Sequence, residues 1–550
     1  MAVCDNAPPM VVEDRTPVAP PEASRGQSRA EPRRDHYFAV ALAAVLLVGL
    51  AVRLAILFSP LGELDGDEAV VGLMARHIAF EGERPVFYWG QPYLGSLEAF
   101  SVAPLFRLFD SSTLTLKLVP TAYSLGFLLL SALLAKRLFG SGPALATGAY
   151  LAVPPAMWAV WSTKARGGYA ELLFLGEALL LVTLWWAERP RQQDGRAAML
   201  WGLLAGLSVW THLLAVVYLL PSVVYLALRR RPRLPEIAVA TVGTLLGMLP
   251  VLIDNLTGGF GTLRALLQPP DLPLDPVAQF ERFFRVGLPV LAGLGQPTTS
   301  ATMFDADWLT RPASRLPLVI LFLLLLGLAL AVHRSSVIDL IQVHVRGGRK
   351  AEPALLLLLA VCVPPVIALT RFGFFVSEPR YALPLYAVVP LIMGAIWRLP
   401  RLAHLGGVAA VLGLNVLSLV STDVQLWRPE DAPESTAATR AELVQYLASQ
   451  DRHQLYTDYW IGYPIMFETR ESVLAYVISG GFNRYVPPAD NVQRTPNAAW
   501  AFERGALDQE PEAEFTGDLR AAGGRARVQD VAVYRVYTDV EPIDALRPPR

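Results

Sequence analysis

Apolar residues along this chain gather into long runs. The first spans roughly Tyr37 to Phe58, and others follow at about 115–135, 143–161, 169–187, 197–228, 236–254, 315–333, 353–370, 381–397 and 403–421. A helix needs about 20 apolar residues to cross a hydrocarbon core, so these runs read as membrane spans. The stretch AAMLWGLLAGLSVWTHLLAVVYLLPSVVYLAL is too long for one ordinary span and short for two, and a break at Thr211-His212 divides it. Counted as two short helices or a re-entrant pair, it brings the total to about eleven crossings.

Two regions follow other periods. Between 59 and 114, DEAVVGLMARHIAFEG and YLGSLEAFSVAPLFRLF carry apolar residues at helical spacing, which predicts two short helices at the membrane interface. After about 422, TRAELVQYLASQ reads as a helix, HQLYTDYW and ESVLAYVIS as strands, and RVQDVAVYRVYTDV as one final alternating strand. The expected architecture is a polytopic α-helical membrane protein with a small C-terminal soluble α/β domain. Residues 1–36, rich in Pro, Ala and charge, are expected to be a disordered cytoplasmic tail, 37–421 the membrane module with its outer loop 59–114, and 422–550 the outer-face α/β domain.

Composition agrees, since 17% charged residues falls below the roughly 25% of soluble chains. A formal net charge of -1 offers no field for nucleic acid. Basic residues collect in AKRLFG, ERPRQQDGR, RRRPRLP, HRSSVIDLIQVHVRGGRK and WRLPRLAH. The positive-inside rule places these connections, with the N-terminus, in the cytoplasm. That parity puts 59–114, the turn near 162–168, the segment 255–314, the turn near 371–380 and everything after about 422 outside. Cys4 in the tail and Cys362 in an apolar run support neither a disulfide framework nor a thiolate metal site. There is no Walker pattern, and GGYAE lacks the setting of a phosphate loop, which disfavours ATP-driven transport.

Chemistry concentrates in ELDGDEA, residues 63–69, where Glu63, Asp65, Asp67 and Glu68 follow the first span. On one reading Asp65 or Asp67 caps the helix beginning near Glu68, whose first N–H groups and dipole favour acid. On the other, a carboxylate acts as a general base, or a pair holds a divalent cation, at the edge of a cavity among the spans. His212, at the break in its apolar run, reads as a hydrogen-bonded structural histidine. Arg53, near the outer end of the first span, reads as reaching the headgroups or the acidic loop.

DGDEAVVGLMARHI, followed by YWGQPYLGSLEAF and WSTKARGGYAELLFLGEALLL, resembles in content and order the C-type-fold membrane glycosyltransferases, specifically the protein O-mannosyltransferase and lipid A aminoarabinose transferase family. The resemblance covers roughly residues 38–260, and EPRYALPLY at 378–386 is similar to a later outer-face motif. It implies transfer of a sugar, with inversion, from a polyprenyl-phosphate carrier to a hydroxyl on a glycan, lipid or protein acceptor. An enzyme on the outer face has no nucleotide sugars, so a lipid-borne donor is chemically apt. Asp67 is then the base and Glu68 its immediate support, with Asp65, Gln91, Tyr93 and Glu98 on the substrate side. The resemblance suggests Lys164, Arg166, Arg371, Arg380 and Tyr381 for the leaving phosphate, whose growing charge calls for fixed cations, while the plainer reading of the four cations is snorkelling or headgroup contact at the membrane edge. Gln91 stands where the family often has a cationic or imidazole side chain, and Glu98 is an added carboxylate. These two departures leave a metal requirement open, so that no cofactor is assigned and Mg²⁺ or Mn²⁺ stands as the candidate divalent cation.

The C-terminal domain lies beyond the resemblance and is expected to be accessory, shaping acceptor choice. A second function class is a flippase or secondary transporter of a lipid-linked saccharide, which would more often show internal repeats and paired broken helices. A ligand-sensing receptor would leave the acidic loop without a role.

Overall fold

The computed structural model describes residues 30–190, 194–267, 275–294, isolated positions between 324 and 338, and residues 351–369, 379–422, 435–504 and 510–548. Among them, four helices are long and apolar enough to cross a membrane: Asp35–Leu57, Thr113–Phe139, Tyr169–Glu188 and Arg401–Val420. Leu234–Gly247 and Leu249–Thr257, bent by 66°, make a fifth if taken as one span. Leu213–Arg229, Pro353–Leu369 and Arg380–Ile396 are apolar but shorter.

Proline accounts for several of the interruptions in the predicted runs, because it lacks an N–H and clashes with the preceding turn. The run at 143–161 becomes Ser141–Ala152 and Ala156–Trp161, parted at Pro154-Pro155. The run at 236–254 breaks at Met248, just ahead of Pro250. The run at 381–397 starts as a 3-10 segment, Arg380–Val388, containing Pro384. The long run divides where its sequence indicates: Asp194–Thr211 ends at His212, a 3-10 turn Leu213–Ala215 follows, and Val216–Arg229 completes it. His212 Nδ1 accepts from Leu214 N at 3.0 Å, the structural role read from its position. The tail to residue 29 and most of the run at 315–333 lie outside the described residues.

Arg53 departs from expectation. It is fully buried, its guanidinium donating to Ser124 Oγ at 2.6 Å and to the carbonyls of Gly49 and Leu151, so it braces the first helix against its neighbours.

The loop 59–114 folds into the two predicted helices, Gly66–Arg76 and Leu97–Phe109. After residue 435 comes helix Ala437–Ser449, then a five-stranded sheet of β1 Gln454–Asp458, β2 Leu474–Ser479, β3 Ala499–Glu503, β4 Arg525–Val531 and β5 Tyr534–Glu541 in the order β2-β1-β3-β5-β4. β1 lies parallel to β2 and β3, while β5 is antiparallel to β3 and β4. The single final strand read from the sequence is thus a hairpin turning at Ala532-Val533.

Helix Tyr459–Glu468 leaves β1 and packs on the 59–114 loop. Tyr463, Met466 and Phe467 share one buried apolar cluster with Val70, Leu73, Met74 and Phe106. The approach is close enough that a Cβ on Gly66 would stand 2.7 Å from the Tyr459 ring, and one on Gly72 2.5 Å from Phe467. Glycine at these two positions lets the domain seat directly on the acidic helix.

Candidate functional site

Each acid of ELDGDEA has a distinct environment. Asp65 and Glu68 form a capping box: Glu68 N donates to Asp65 Oδ1 at 3.1 Å and Asp65 N to Glu68 Oε2 at 3.3 Å. Asp65 Oδ2 also accepts from Lys164 Nζ at 3.1 Å and Arg166 Nε at 2.7 Å. Burial alone would raise the Asp65 pKa, but Arg166 and Lys164 hold it far below the usual carboxylate range. Glu68, wholly buried, pairs with Lys117 and with Lys164 at 3.1 Å, and accepts from Ala165 N at 3.0 Å. Glu63 Oε1 accepts from Ala437 N at 2.6 Å, at the start of the C-terminal domain's first helix.

Asp67 differs. Its Oδ1 accepts from Tyr459 Oη at 2.7 Å, Tyr88 Oη at 3.4 Å and Arg484 Nη2 at 3.3 Å, while Arg484 Nε donates to Tyr459 Oη at 2.7 Å. Burial and the Asp67 carboxylate raise both phenols well above their ordinary pKa, so both stay protonated donors. Among the described residues no hydrogen bond or ion pair reaches Oδ2, and the Asp67 side chain is 19% exposed. Every carboxylate oxygen of Asp65 and Glu68 is engaged, so Asp67 Oδ2 alone in this trio is open to take a proton.

Asp65 faces Lys164 and Arg166 whereas Asp67 faces Arg484, so the two carboxylates are neutralised separately. These residues do not fit a divalent cation shared between them, the form of metal site weighed from the sequence.

The turn 164–168 is held from behind. Gly167 and Gly168 adopt left-handed φ of 82° and 85°, aiming both amides at Glu98 Oε2, 2.9 Å from each. The GGYAE glycines thus bind a protein carboxylate. Glu98 is buried, and its Oε2 braces the turn by accepting from both amides. Burial first and Glu171 second push its pKa well above the ordinary carboxylate value.

The Arg166 and Arg380 guanidiniums both lie over the Trp161 ring, 5.3 and 5.8 Å from its centroid. Tyr381 and His212 complete this wall beside Tyr169, with ring centroids 6.3 and 5.0 Å from the Tyr169 ring. Gln91 and Tyr93 form a tight, half-buried turn in which the Gln91 carbonyl accepts from Tyr93 N at 2.7 Å. Arg371 lies outside the described residues. An apolar cavity of about 590 Å³, lined by Phe280, Phe283, Phe284, Pro364, Leu385 and Tyr386 among others, opens among the helices. Leu385 and Tyr386 follow Arg380 by five and six residues, about 10–12 Å along a 3-10 helix.

The sequence reading did not assign Tyr88, Lys117, Tyr459 or Arg484. Lys117 carried a usable signal, since a lysine inside an apolar run needs a buried partner. Tyr459 and Arg484 carried none, lying about 400 residues downstream of Asp67 and outside the resemblance.

A scan against protein-family models finds no match, and neither does a search of curated proteins. Among solved structures, ArnT from Cupriavidus metallidurans in the apo state superposes with a TM-score of 0.58 at 14% identity, covering 95% of this chain and 100% of that one. The same protein bound to undecaprenyl phosphate gives 0.57 at 15%, with the same coverage. An oligosaccharyltransferase from Archaeoglobus fulgidus, tethered to an acceptor peptide containing the NVT sequon, gives 0.50 at 12%, covering 92% of this chain and 76% of that one. At these identities the likeness is one of fold, and over nearly its whole length this chain has the membrane fold of ArnT.

Proposed function

We propose that the chain is an integral membrane glycosyltransferase that moves a sugar, with inversion, from a polyprenyl-phosphate donor to an acceptor hydroxyl on the outer face. The observation that carries this reading is the ion cluster around Asp65, Asp67 and Glu68, with Glu63 of the same stretch turned away to Ala437 N. Asp65, Asp67 and Glu68 are met by four cations, Lys117, Lys164, Arg166 and Arg484, leaving one formal positive charge and one open carboxylate oxygen. A surplus of fixed cations suits a leaving phosphate, and an open carboxylate suits a hydroxyl that must lose its proton.

In this reading the isoprenoid chain occupies the apolar cavity and the phosphate lies against Arg166, Arg380 and Lys164, with Arg371 assigned by resemblance. The acceptor oxygen attacks the anomeric carbon and forms the new glycosidic bond while the bond to the phosphate oxygen breaks. The acceptor proton passes to Asp67 Oδ2, and the electron pair of the broken bond leaves with polyprenyl phosphate. ArnT, which shares the fold, has been solved with undecaprenyl phosphate, and that supports a lipid phosphate as carrier. The reading also takes the chain to cross the inner membrane about eleven times, several helices being short or broken, with the N-terminus inside and the 422–550 domain outside. Reporter fusions after Arg231 and Gln425 are expected to give cytoplasmic and outer signals respectively, and signals on one side would overturn the orientation.

Purified protein given a synthetic polyprenyl-phosphate sugar and an acceptor mixture is expected to release polyprenyl phosphate. A transporter moves its lipid without releasing it, so a donor that crosses the bilayer intact would sink the transferase reading. Ala360→Trp, which narrows the cavity, is expected to raise KM for long-chain donors by roughly tenfold, the scale of one or two lost apolar contacts, and to spare short-chain donors. Equal effects on both donor lengths would place the lipid elsewhere.

The C-terminal domain, expected to be accessory, has a closer part in this reading because its Tyr459 and Arg484 hold the base. Arg484→Gln is expected to lower kcat by about 10- to 100-fold with donor KM nearly unchanged, as for other groups that orient a reacting side chain. A change confined to acceptor KM would return the domain to an accessory role.

A further inference from the structure

The acidic helix does not end cleanly at Arg76. It runs into a single π turn, His77–Glu81, and stops at Gly82 with φ 79°. Such turns cost regular hydrogen bonding and are frequent at functional sites, because they re-aim the side chains they carry. Here they gather acid around one imidazole. His77 is 3% exposed, with Nε2 2.9 Å from Glu471 Oε2 and Nδ1 3.1 Å from Glu83 Oε1 and 3.5 Å from Glu81 Oε2. Despite that crowding, Nδ1 makes no well-formed hydrogen bond.

We propose that His77, Glu81 and Glu471 bind a divalent transition-metal ion of the zinc type, which fastens the C-terminal domain to the outer loop. Their ligand atoms all lie within 4.8 Å of one another. An ion takes one ring nitrogen, so the carboxylates now on Nδ1 and Nε2 must close onto the same edge of the ring, with ligand atoms about 3.3 Å apart for zinc bonds of about 2.0–2.2 Å. Among the described residues no Lys or Arg pairs with Glu81, Glu83 or Glu471, so three carboxylates face a single imidazole. Glu83 is available as a fourth ligand and is held in place by Tyr485 Oη, which donates to it at 2.7 Å.

Two further features fit a built site. Glu471 sits at φ 63°, a left-handed conformation costly to a non-glycine residue and tolerated where the surroundings fix it. Trp89 and Tyr485 stack at 4.0 Å between ring centroids, and both meet the edge of His77 at about 5 Å, walling one side from water. An imidazole with carboxylates favours zinc over calcium or magnesium, which prefer all-oxygen shells. The site is separate from the proposed chemistry, since His77 lies ten residues beyond Asp67, about 15 Å along a helix. Glu471 closely follows the helix Tyr459–Glu468, so an ion here also fixes the element that carries Tyr459 to Asp67. The inference stands whether or not the chain is a glycosyltransferase.

A competing occupant is a proton. Burial alone would depress the His77 pKa, but Glu471, Glu83 and Glu81 outweigh it and hold it up at about 9, so a metal-free ring is an imidazolium bridging the same carboxylates. The two are separable with the full chain in detergent. After dialysis against EDTA and addition of zinc chloride, mass spectrometry of the retained metal is expected to find one zinc per chain, with a higher Tm than the stripped protein. His77→Ala and Glu471→Gln are each expected to abolish both effects. Should either misfold, Glu81→Gln, on a half-exposed side chain, is expected to weaken zinc affinity at least about tenfold while leaving the zinc-free Tm unchanged. Failure of the wild type to retain stoichiometric zinc would overturn the proposal in favour of the imidazolium. Equal retention by all three variants would overturn it too, by placing the metal elsewhere.

Discussion

Asp67→Asn is expected to cut turnover by at least about a hundredfold while leaving polyprenyl-phosphate affinity nearly intact, because general-base catalysis of this kind contributes 10²- to 10⁴-fold. The structure makes this substitution unusually clean. An amide oxygen still accepts from Tyr459 and Tyr88, which burial keeps protonated, so the hydrogen bonds that seat the domain survive. Arg484 loses its charge partner but keeps Tyr459. What disappears is the basic Oδ2. Asp65→Asn is expected to behave otherwise: its oxygens are committed to the capping box, Lys164 and Arg166, so the change should disturb the cations proposed for the phosphate and raise donor KM more than it lowers kcat. Single-turnover release of polyprenyl phosphate at saturating donor and acceptor separates the two. A near wild-type rate for Asp67→Asn with a collapsed rate for Asp65→Asn would move the base to Asp65.

Much of this geometry was legible in the sequence where local physics sets it. The helices of the 59–114 loop follow from apolar spacing, and a cap at Asp65 or Asp67 from the acid favoured by a helix's first N–H groups, Asp65 being the one that caps. The break at Thr211-His212 follows from a run whose length suits neither one span nor two. The number of clean spans was less legible, because hydropathy averages over the prolines that divide a run, while the backbone responds to each of them. The C-terminal sheet was read in part for a related reason. β3, AWAFE, is buried along its whole length and so shows no alternation. The β4–β5 turn contains Ala532 at φ 48° instead of glycine or asparagine, and so gives no turn signal. Long-range pairing was least legible. Arg484 meets Asp67 through a fold that brings residues 417 apart together, and nothing near either residue announces the other. Glu98 shows the converse: carboxylates close to one motif look alike in sequence, and only the glycine amides behind it reveal a buttress.

Glu68→Gln is expected to be the most damaging single change to stability. Glu68 is wholly buried and shares its two oxygens among Lys117, Lys164, Ala165 N and Asp65 N, while Lys117 is only 1% exposed. Glutamine fits the same volume but carries no charge, and its NH₂ group faces a lysine or an N–H donor whichever way the amide is turned. Two buried ammonium groups then share only the Asp65 carboxylate, on the Lys164 side, and Lys117 keeps no counter-ion at contact distance. Removing one member of a buried pair typically costs about 3–5 kcal/mol, since the remaining charge is left desolvated. That loss is comparable to the whole stability of many domains. The expected readout is a large fall in detergent Tm or in yield of inserted protein, before any effect on turnover is measurable. Lys117→Met together with Glu68→Gln removes the orphaned charge as well, and is expected to recover part of the lost Tm, as apolar replacement of buried ion pairs often does. If Glu68→Gln alone keeps the wild-type melting temperature but loses activity, Glu68 acts in the chemistry directly and its ion pairs are not what holds the loop.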